Sequence, residues 1–452
     1  MSVREKPKII ALTAGKGGVG RSTLIIELAQ ALARHEQRVL LVDLDPASHA
    51  LTSLLEMHPI DIDEQEGIVH TRNERVDLYL SDALLSGSRS PSELAQLLRD
   101  FEYHWILADL PTGTSPNTLH FARLAELQVL ASLPEPNALA SAAQFLRGII
   151  LAELAQHSSK EAVAELQRLA AAHPRTWTFV HLFRDASTDG AREALVEVCQ
   201  KIHIGLLINQ VREGSDHTQA EALCHAWGIE FGVWLRYMGG VVYDERRWFF
   251  ARRLAPPSQV PLDESVAGDI ERLARSLLEF DWKAWASPRP CLPCVDPDNY
   301  PRVFLDMTGG TASEVRQVYR KLWESYRREN GIISFVLDPA GRRRALKLLD
   351  AAYRKASMED PAHSSPAIPL FERNTPGERL RDARIDKGMG LRELSLRTRV
   401  GVKEIEAIEE QRAAELPNRS YLRAYLLELA KALELDPEKT VEEYINALES
   451  AG

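Results

Sequence analysis

The sequence predicts an α/β fold, a parallel sheet flanked by helices, followed by two small all-α modules. Three observations carry this expectation. Short apolar runs alternate with stretches that are apolar at helical spacing over residues 1–285. The proline-rich stretch "ASPRPCLPCVDPDNYPR" then ends the alternation. Beyond it only amphipathic helical spacing recurs.

Taken in order, "KIIALTA" is a strand-length apolar run, and a glycine-rich loop joins it to the helical "STLIIELAQALARH". "RVLLVDLD" has the continuous apolar character of a strand buried on both faces. "VDLYLSD", "WILADLP", "ELQVLASLP" and "IGLLINQV" repeat the theme with helical stretches between them. Strands spaced by helices imply parallel βαβ units with right-handed crossovers. Residues 286–298 read as a linker and 299–360 as a helical hairpin built from "ASEVRQVYRKLWESYRREN" and "AGRRRALKLLDAAYRKASM". A second linker, 361–376, leads to a module of short helices over 377–452.

Composition narrows the class. A chain of 452 residues suffices for two or three domains, and 45% apolar with 27% charged residues is ordinary for a globular protein. No apolar run is long enough to span a bilayer, and the N-terminus leads straight into a strand, so a cytoplasmic location is expected. The net charge of -10 argues against a basic nucleic-acid coat. Of the four cysteines, Cys291 and Cys294 form a single C-x-x-C, which falls short of a zinc set and reads as two linker cysteines. The run Arg342–Arg344 reads as a solvated helix face.

The chemistry lies in "TAGKGGVGRST", residues 13–23. A loop between a strand and a helix cradles phosphates because its backbone N–H groups and the helix N-terminus face the anion. Gly15, Gly17, Gly18 and Gly20 allow the required torsions and close approach. Val19, Arg21 and Thr23 complete the loop, and Ser22 offers a hydroxyl to Mg²⁺. "VDLDP" sets Asp43 and Asp45 at the end of the next strand, and "WILADLPTG" sets Asp109 at the end of another. Ligands of open α/β sheets bind at such strand ends, and Asp109 is placed to hold Mg²⁺ through water. Gly113 would let a switch loop approach the γ-phosphate.

"GKGGVGRST", "LLVDLDP" and "ADLPTGTS" resemble the deviant phosphate-loop ATPases of the MinD/ParA family, over residues 7–280. "DLPTGTSPNTLHF", the following "LPEPNALASAAQFL", "LLINQVR" and "YMGGVVYDERRW" are most similar to the FlhG-like, flagellar-placement branch. The resemblance implies a P-loop NTPase sheet that binds ATP and Mg²⁺ and dimerises face to face on ATP. It implies that Lys16 reaches the partner's phosphates, that Asp45 orients the attacking water, and that Asn209 lies near the adenine. Departures bear on the chemistry. Arg21 stands where the family has a lysine and brings a bulkier, planar cation. "PASH" follows the D-x-D where relatives have P-Q-G-N, and Pro111 and Thr112 replace the usual switch residues. Binding is expected to be retained and hydrolysis to be slow.

Residues 299–360 resemble a J-domain that lacks the His-Pro-Asp tripeptide, its place reading "YRRENGIIS". Co-chaperone activity is therefore not expected, and a degenerate docking hairpin is. "GERLRDARIDKGMGLRELSLRTRVGVKEIEAIEEQ" has helix–turn–helix spacing and, with its continuation, resembles the cytoplasmic domain of RodZ. Its candidate recognition helix carries Glu404, Glu406, Glu409 and Glu410 against Lys403, a face that DNA phosphates would repel. Protein contact is favoured over DNA. Three functional readings stay open: an ATP-dependent homodimeric switch that acts with a cytoskeletal or polar scaffold protein, a non-hydrolysing nucleotide-bound scaffold, and a DNA-binding regulator.

Overall fold

In the computed structural model, the described residues are 6–44, 50–55, 67–81, 88–212, 214–247, 263–305, 307, 311–327, 332–337, 339–358, 376–387, 389–412 and 415–451. The chain divides into two compact units, Met1–Val295 with Arg328–Val336, and Asp296–Arg327 with Leu337–Gly452.

The first unit is built on an eight-stranded sheet in the order β3-β4-β2-β5-β1-β6-β7-β8. The strands are β1 (Lys8–Ala14), β2 (Val39–Asp43), β3 (Ile68–His70), β4 (Val76–Leu80), β5 (Trp105–Asp109), β6 (Leu127–Ser132), β7 (His203–Val211) and β8 (Trp234–Val242). Every pairing is parallel except β3 with β4. β2, β5 and β6 are buried along their whole length, as strands covered on both faces must be. The α/β expectation holds.

The helices of this unit are α1 (Arg21–Arg34), α2 (Ala50–Leu54), α3 (Pro91–Asp100), α4 (Pro116–Leu124), α5 (Pro136–Leu154), α6 (Lys160–Ala172), α7 (Phe179–Asp185), α8 (Asp189–Lys201), α9 (Gly214–Phe231), α10 (Glu264–Leu278) and α11 (Trp282–Ala286). α3, α4 and α5 each begin on proline, whose missing N–H costs nothing in a first turn. Ser90 and Glu93 add a reciprocal capping box to α3. Leu24, Ile25, Leu28 and Leu32 of α1 join Ile270, Leu273 and Leu277 of α10 in the core that holds the glycine loop's helix against the sheet. α9 is buried on most sides: β7 and β8 flank it, and 3-10 turns at Leu292–Cys294 and Ile332–Phe335 pack on it. Ile332 N donates to Gln219 Oε1 at 2.5 Å, and Ile333 is fully buried.

The second unit is helical: α12 (Pro301–Phe304), α13 (Ala312–Arg327), α14 (Pro339–Met358), α15 (Pro376–Asp386), α16 (Leu391–Thr398), α17 (Val402–Glu409), α18 (Arg419–Ala432) and α19 (Pro437–Ala451). α13 and α14 pack against each other, locked by Tyr319 stacked on Tyr353 with centroids 4.0 Å apart. Tyr319 also donates its buried hydroxyl to Asp350. Arg342 is buried, Arg343 half-buried and Arg344 exposed, so the arginine run is not one solvated face. A separate apolar core, including Leu394, Ile405, Ile408, Leu426 and Tyr444, holds α15–α19 together.

Candidate nucleotide-binding site

The loop leaves β1 at Ala14 and enters α1 at Arg21, between the two strands that flank β1 in the sheet, β5 and β6. Its path requires glycine at specific places. A Cβ on Gly15 would lie 2.2 Å from the Ser141 backbone carbon of α5, so the loop sits directly on that helix. Gly18 and Gly20 both have φ of +80°, a conformation unfavourable to other L-residues. Cβ atoms on Gly17 and Gly18 would meet nothing within 4 Å, so the space above the loop is open. Val19 is buried among Ala14, Ala131, Leu133 and Ala138 and anchors the loop from below. No side chain caps the start of α1, whose first-turn N–H groups suit an anion.

The carboxylates converge on this loop through strand register. β2 and β5 run parallel with Asp43 opposite Asp109, and Asp109 is in turn opposite Leu12 of β1. Both acids are buried at the C-terminal ends of their strands. Asp109 accepts from Arg21 Nε through Oδ1 and from Ser22 Oγ at 2.6 Å through Oδ2. The Arg21 and Asp109 side chains are only 10% and 3% exposed, which makes this an internal ion pair. Arg21 Nη1 is buried with no hydrogen-bond acceptor. A cation with an unsatisfied donor, beside an open glycine cradle, is suited to an incoming anion.

Asn209, at the end of β7, is buried and donates from Nδ2 to Val19 O at 2.8 Å. A Cβ on Gly20 would strike that same Nδ2 at 2.5 Å. Asn209 therefore braces the loop from the neighbouring strand. Lys16 Nζ lies 3.5 Å from Glu135 Oε2, in the "LPEP" segment that starts α5. Thr23 is half-buried on α1, and Gly113, with φ of +94° and open space around its Cβ position, lies four residues past Asp109. Asp45 lies outside the described residues.

Nothing in the sequence points to Glu135 or Ser141 beyond the "PEP" motif that contains Glu135. Their parts depend on which helix backs the loop, and local pattern does not show that. Glu27 of α1 was likewise passed over. It is buried and pairs with Arg247, and burial pushes its carboxyl above the ordinary range while the arginine opposes that shift.

The model for the CobQ/CobB/MinD/ParA nucleotide binding domain matches residues 10–359. The chain belongs to that family. A helix-turn-helix domain model matches residues 379–440. The chromosome-partitioning ATPase Soj of Thermus thermophilus is 37% identical over 156 residues, covering 32% of this chain and 62% of that protein. The septum site-determining protein MinD of Synechocystis is 28% identical over 169 residues, covering 32% and 60%. The alignments thus span less than two thirds of these curated relatives. The solved structure of MinD from Pyrococcus horikoshii, complexed with Mg-ADP, aligns over 60% of this chain and 96% of its own at 16% identity, with a TM-score of 0.38.

In the helix-turn-helix segment, the acidic face is smaller than the sequence suggested. Glu409 is buried and takes two hydrogen bonds from Arg384, at 2.7 Å each. Glu406 and Glu410 both lie within ion-pair distance of Arg412. Among the described residues, no helix is long and apolar enough to cross a membrane.

Proposed function

We propose that this chain is an ATP- and Mg²⁺-dependent switch whose nucleotide state controls self-association, and whose C-terminal helical modules select a protein partner. The observation that carries this reading is the cluster of Arg21, Ser22 and Asp109 set against an open, uncapped glycine loop. Ser22 Oγ and the Asp109 carboxylate are hard oxygen donors 2.6 Å apart, a set that fits Mg²⁺. Mg²⁺, held by Ser22 and through water by Asp109, would neutralise phosphate charge.

The chain's own groups then divide the work. The backbone of Gly15, Gly17, Gly18, Val19 and Gly20 binds phosphate oxygens, with Thr23 on the opening turn of α1. Arg21 exchanges Asp109 for phosphate. Lys16, tethered to Glu135 at 3.5 Å, is released toward a second subunit's phosphates. Asp45 orients the attacking water. Asp43 and Gly113 shape the strand-end crevice, and Asn209 keeps the loop at its height beside the base. A positioning role at a pole, a membrane-associated scaffold or the nucleoid is in keeping with relatives named for chromosome partitioning and septum placement.

A second reading rests on the same ion pair. An arginine held by Asp109 positions the transferred phosphoryl group less well than a lysine, and phosphoryl transfer depends mainly on positioning. In that case ATP is structural and the chain is a scaffold. One experiment separates the readings: ATP turnover paired with sizing in ATP and in ADP. The switch requires an ATP-dependent dimer that Lys16→Ala abolishes, and an ATP-bound monomer of unchanged size removes it. Equal, negligible turnover in wild type and Arg21→Lys selects the scaffold. The DNA-binding reading requires salt-sensitive duplex binding at moderate ionic strength.

A further inference from the structure

The C-x-x-C pair takes no part in the nucleotide site, yet it is held in a built seat. Leu292–Cys294 form one 3-10 turn, and Cys294 N donates to Cys291 O at 2.9 Å. A 3-10 turn stacks side chains three residues apart with a rise of about 6 Å, inside the Cα separation that a disulfide tolerates. Gly228 of α9 and Gly232, just past its end, make room for it. A Cβ on Gly232 would lie 2.8 Å from Cys291 Sγ, and one on Gly228 would lie 2.7 Å from Leu292 Cδ1. Cys291 is 2% exposed in this seat, whereas Cys294 faces solvent.

The two thiols are electronically unequal. The neighbouring Cys291 side chain holds the Cys294 thiol below the ordinary cysteine range. The same neighbour, with burial, pushes Cys291 upward. Cys199 lies close enough to be felt electrostatically, but it is buried, its thiol donates to Phe231 O at 3.5 Å, and burial pushes it far up as well. One exposed, activated thiol therefore sits a single turn from one buried partner.

We propose that Cys294 and Cys291 form a thiol–disulfide exchange site, with Cys294 attacking and Cys291 resolving, whose substrate is a low-molecular-weight disulfide such as oxidised glutathione. The Cys294 thiolate attacks one sulfur of the disulfide, forming a mixed disulfide and expelling one thiolate. Cys291 loses its proton to water and attacks the Cys294 sulfur, closing the Cys291–Cys294 bond and expelling the second thiolate. The protein loses two electrons and the small disulfide gains them. The reaction is independent of the nucleotide reading.

The test uses the full chain and oxidised glutathione, with peptide mapping by mass spectrometry. Wild type should gain an internal Cys291–Cys294 disulfide. Cys291→Ala should instead accumulate a glutathione adduct on Cys294, and Cys294→Ala should gain neither. Because Cys291 is buried, its variant is checked by circular dichroism, and wild type supplies a second readout. A bimane label should modify Cys294 about tenfold faster than an unfolded cysteine at neutral pH, with a rate midpoint below the ordinary thiol range. Two separate adducts in wild type, a persistent mixed disulfide, or Cys294 labelling no faster than an unfolded cysteine would each overturn the proposal.

Discussion

Among the described residues, Arg21 in the first unit and Arg384 in the second each meet a buried carboxylate, and the two are built to different ends. Arg384, joining α15 to α17, gives Nε and Nη2 to the two Glu409 oxygens at 2.7 Å each and Nη1 to Met389 O at 3.0 Å. Every guanidinium nitrogen has an acceptor. Arg21 reaches Asp109 through Nε, shares that carboxylate with Ser22, and leaves Nη1 buried without an acceptor. A satisfied bidentate pair holds two helices in one arrangement. An unsatisfied one, next to glycines that leave open space, can change partners at little cost. Burial of a charge pair does not by itself reveal its role, whereas the partners of its donors do.

The largest effect is expected from Arg384→Ala, which strands a buried Glu409 and should cost about 3–5 kcal/mol in that unit. Hydrogen exchange of the α15–α17 peptides in the full chain is the readout, and the double change Arg384→Met with Glu409→Leu should restore most of the protection. Unchanged protection in Arg384→Ala would end the reading of this pair as a staple. Asp109→Ala removes the acceptor that holds Arg21 and the group assigned to Mg²⁺. Calorimetry should show Mg²⁺-dependent nucleotide affinity falling about 10–100-fold, while the sheet stays folded. Retained affinity would show that Asp109 merely parks the arginine.

Smaller effects sharpen the contrast. Tyr319→Phe deletes the buried donor to Asp350 and should cost about 1.5–3 kcal/mol, read by exchange in α13 and α14. Arg21→Lys keeps the charge but replaces the fork with a point charge. If the loop performs hydrolysis, turnover should rise about tenfold, equivalent to about 1.4 kcal/mol in the barrier. A fall in turnover would mean that the guanidinium is itself the fitted group.

Much of the sheet was legible in the sequence. The runs that became β1, β2, β4, β5, β6 and β7 are predominantly apolar, as befits strands covered on both faces. β8 was not read as a strand. Its "YMGGVV" carries two glycines, one at φ of +140°, and its pairing with β7 shifts register twice. β3 has three residues, too few to show a period. In the candidate site, the sequence singles out Ser22 by its place in the loop and Asp109 by its place at a strand end, and the fold brings the two to 2.6 Å. The tether of Lys16 to Glu135 was not legible, since the partners lie 119 positions apart in the chain and meet only because α5 backs the loop. Glu409 looked like surface charge because helical spacing does not tell which acid meets an arginine from another helix.

The sequence by itself determined the kind of fold, the phosphate loop and the chemical identity of the groups around it. Local torsional preference and the period of apolar residues act over a few residues, so they are written into short stretches. Only the tertiary structure decided that Arg21 is paired, that one of its donors is left without an acceptor, and that Cys291 is buried while Cys294 is exposed. Those outcomes depend on which distant strand or helix supplies the neighbouring atom. Desolvation and hydrogen bonding are properties of that neighbourhood, and the neighbourhood exists only once the chain has folded.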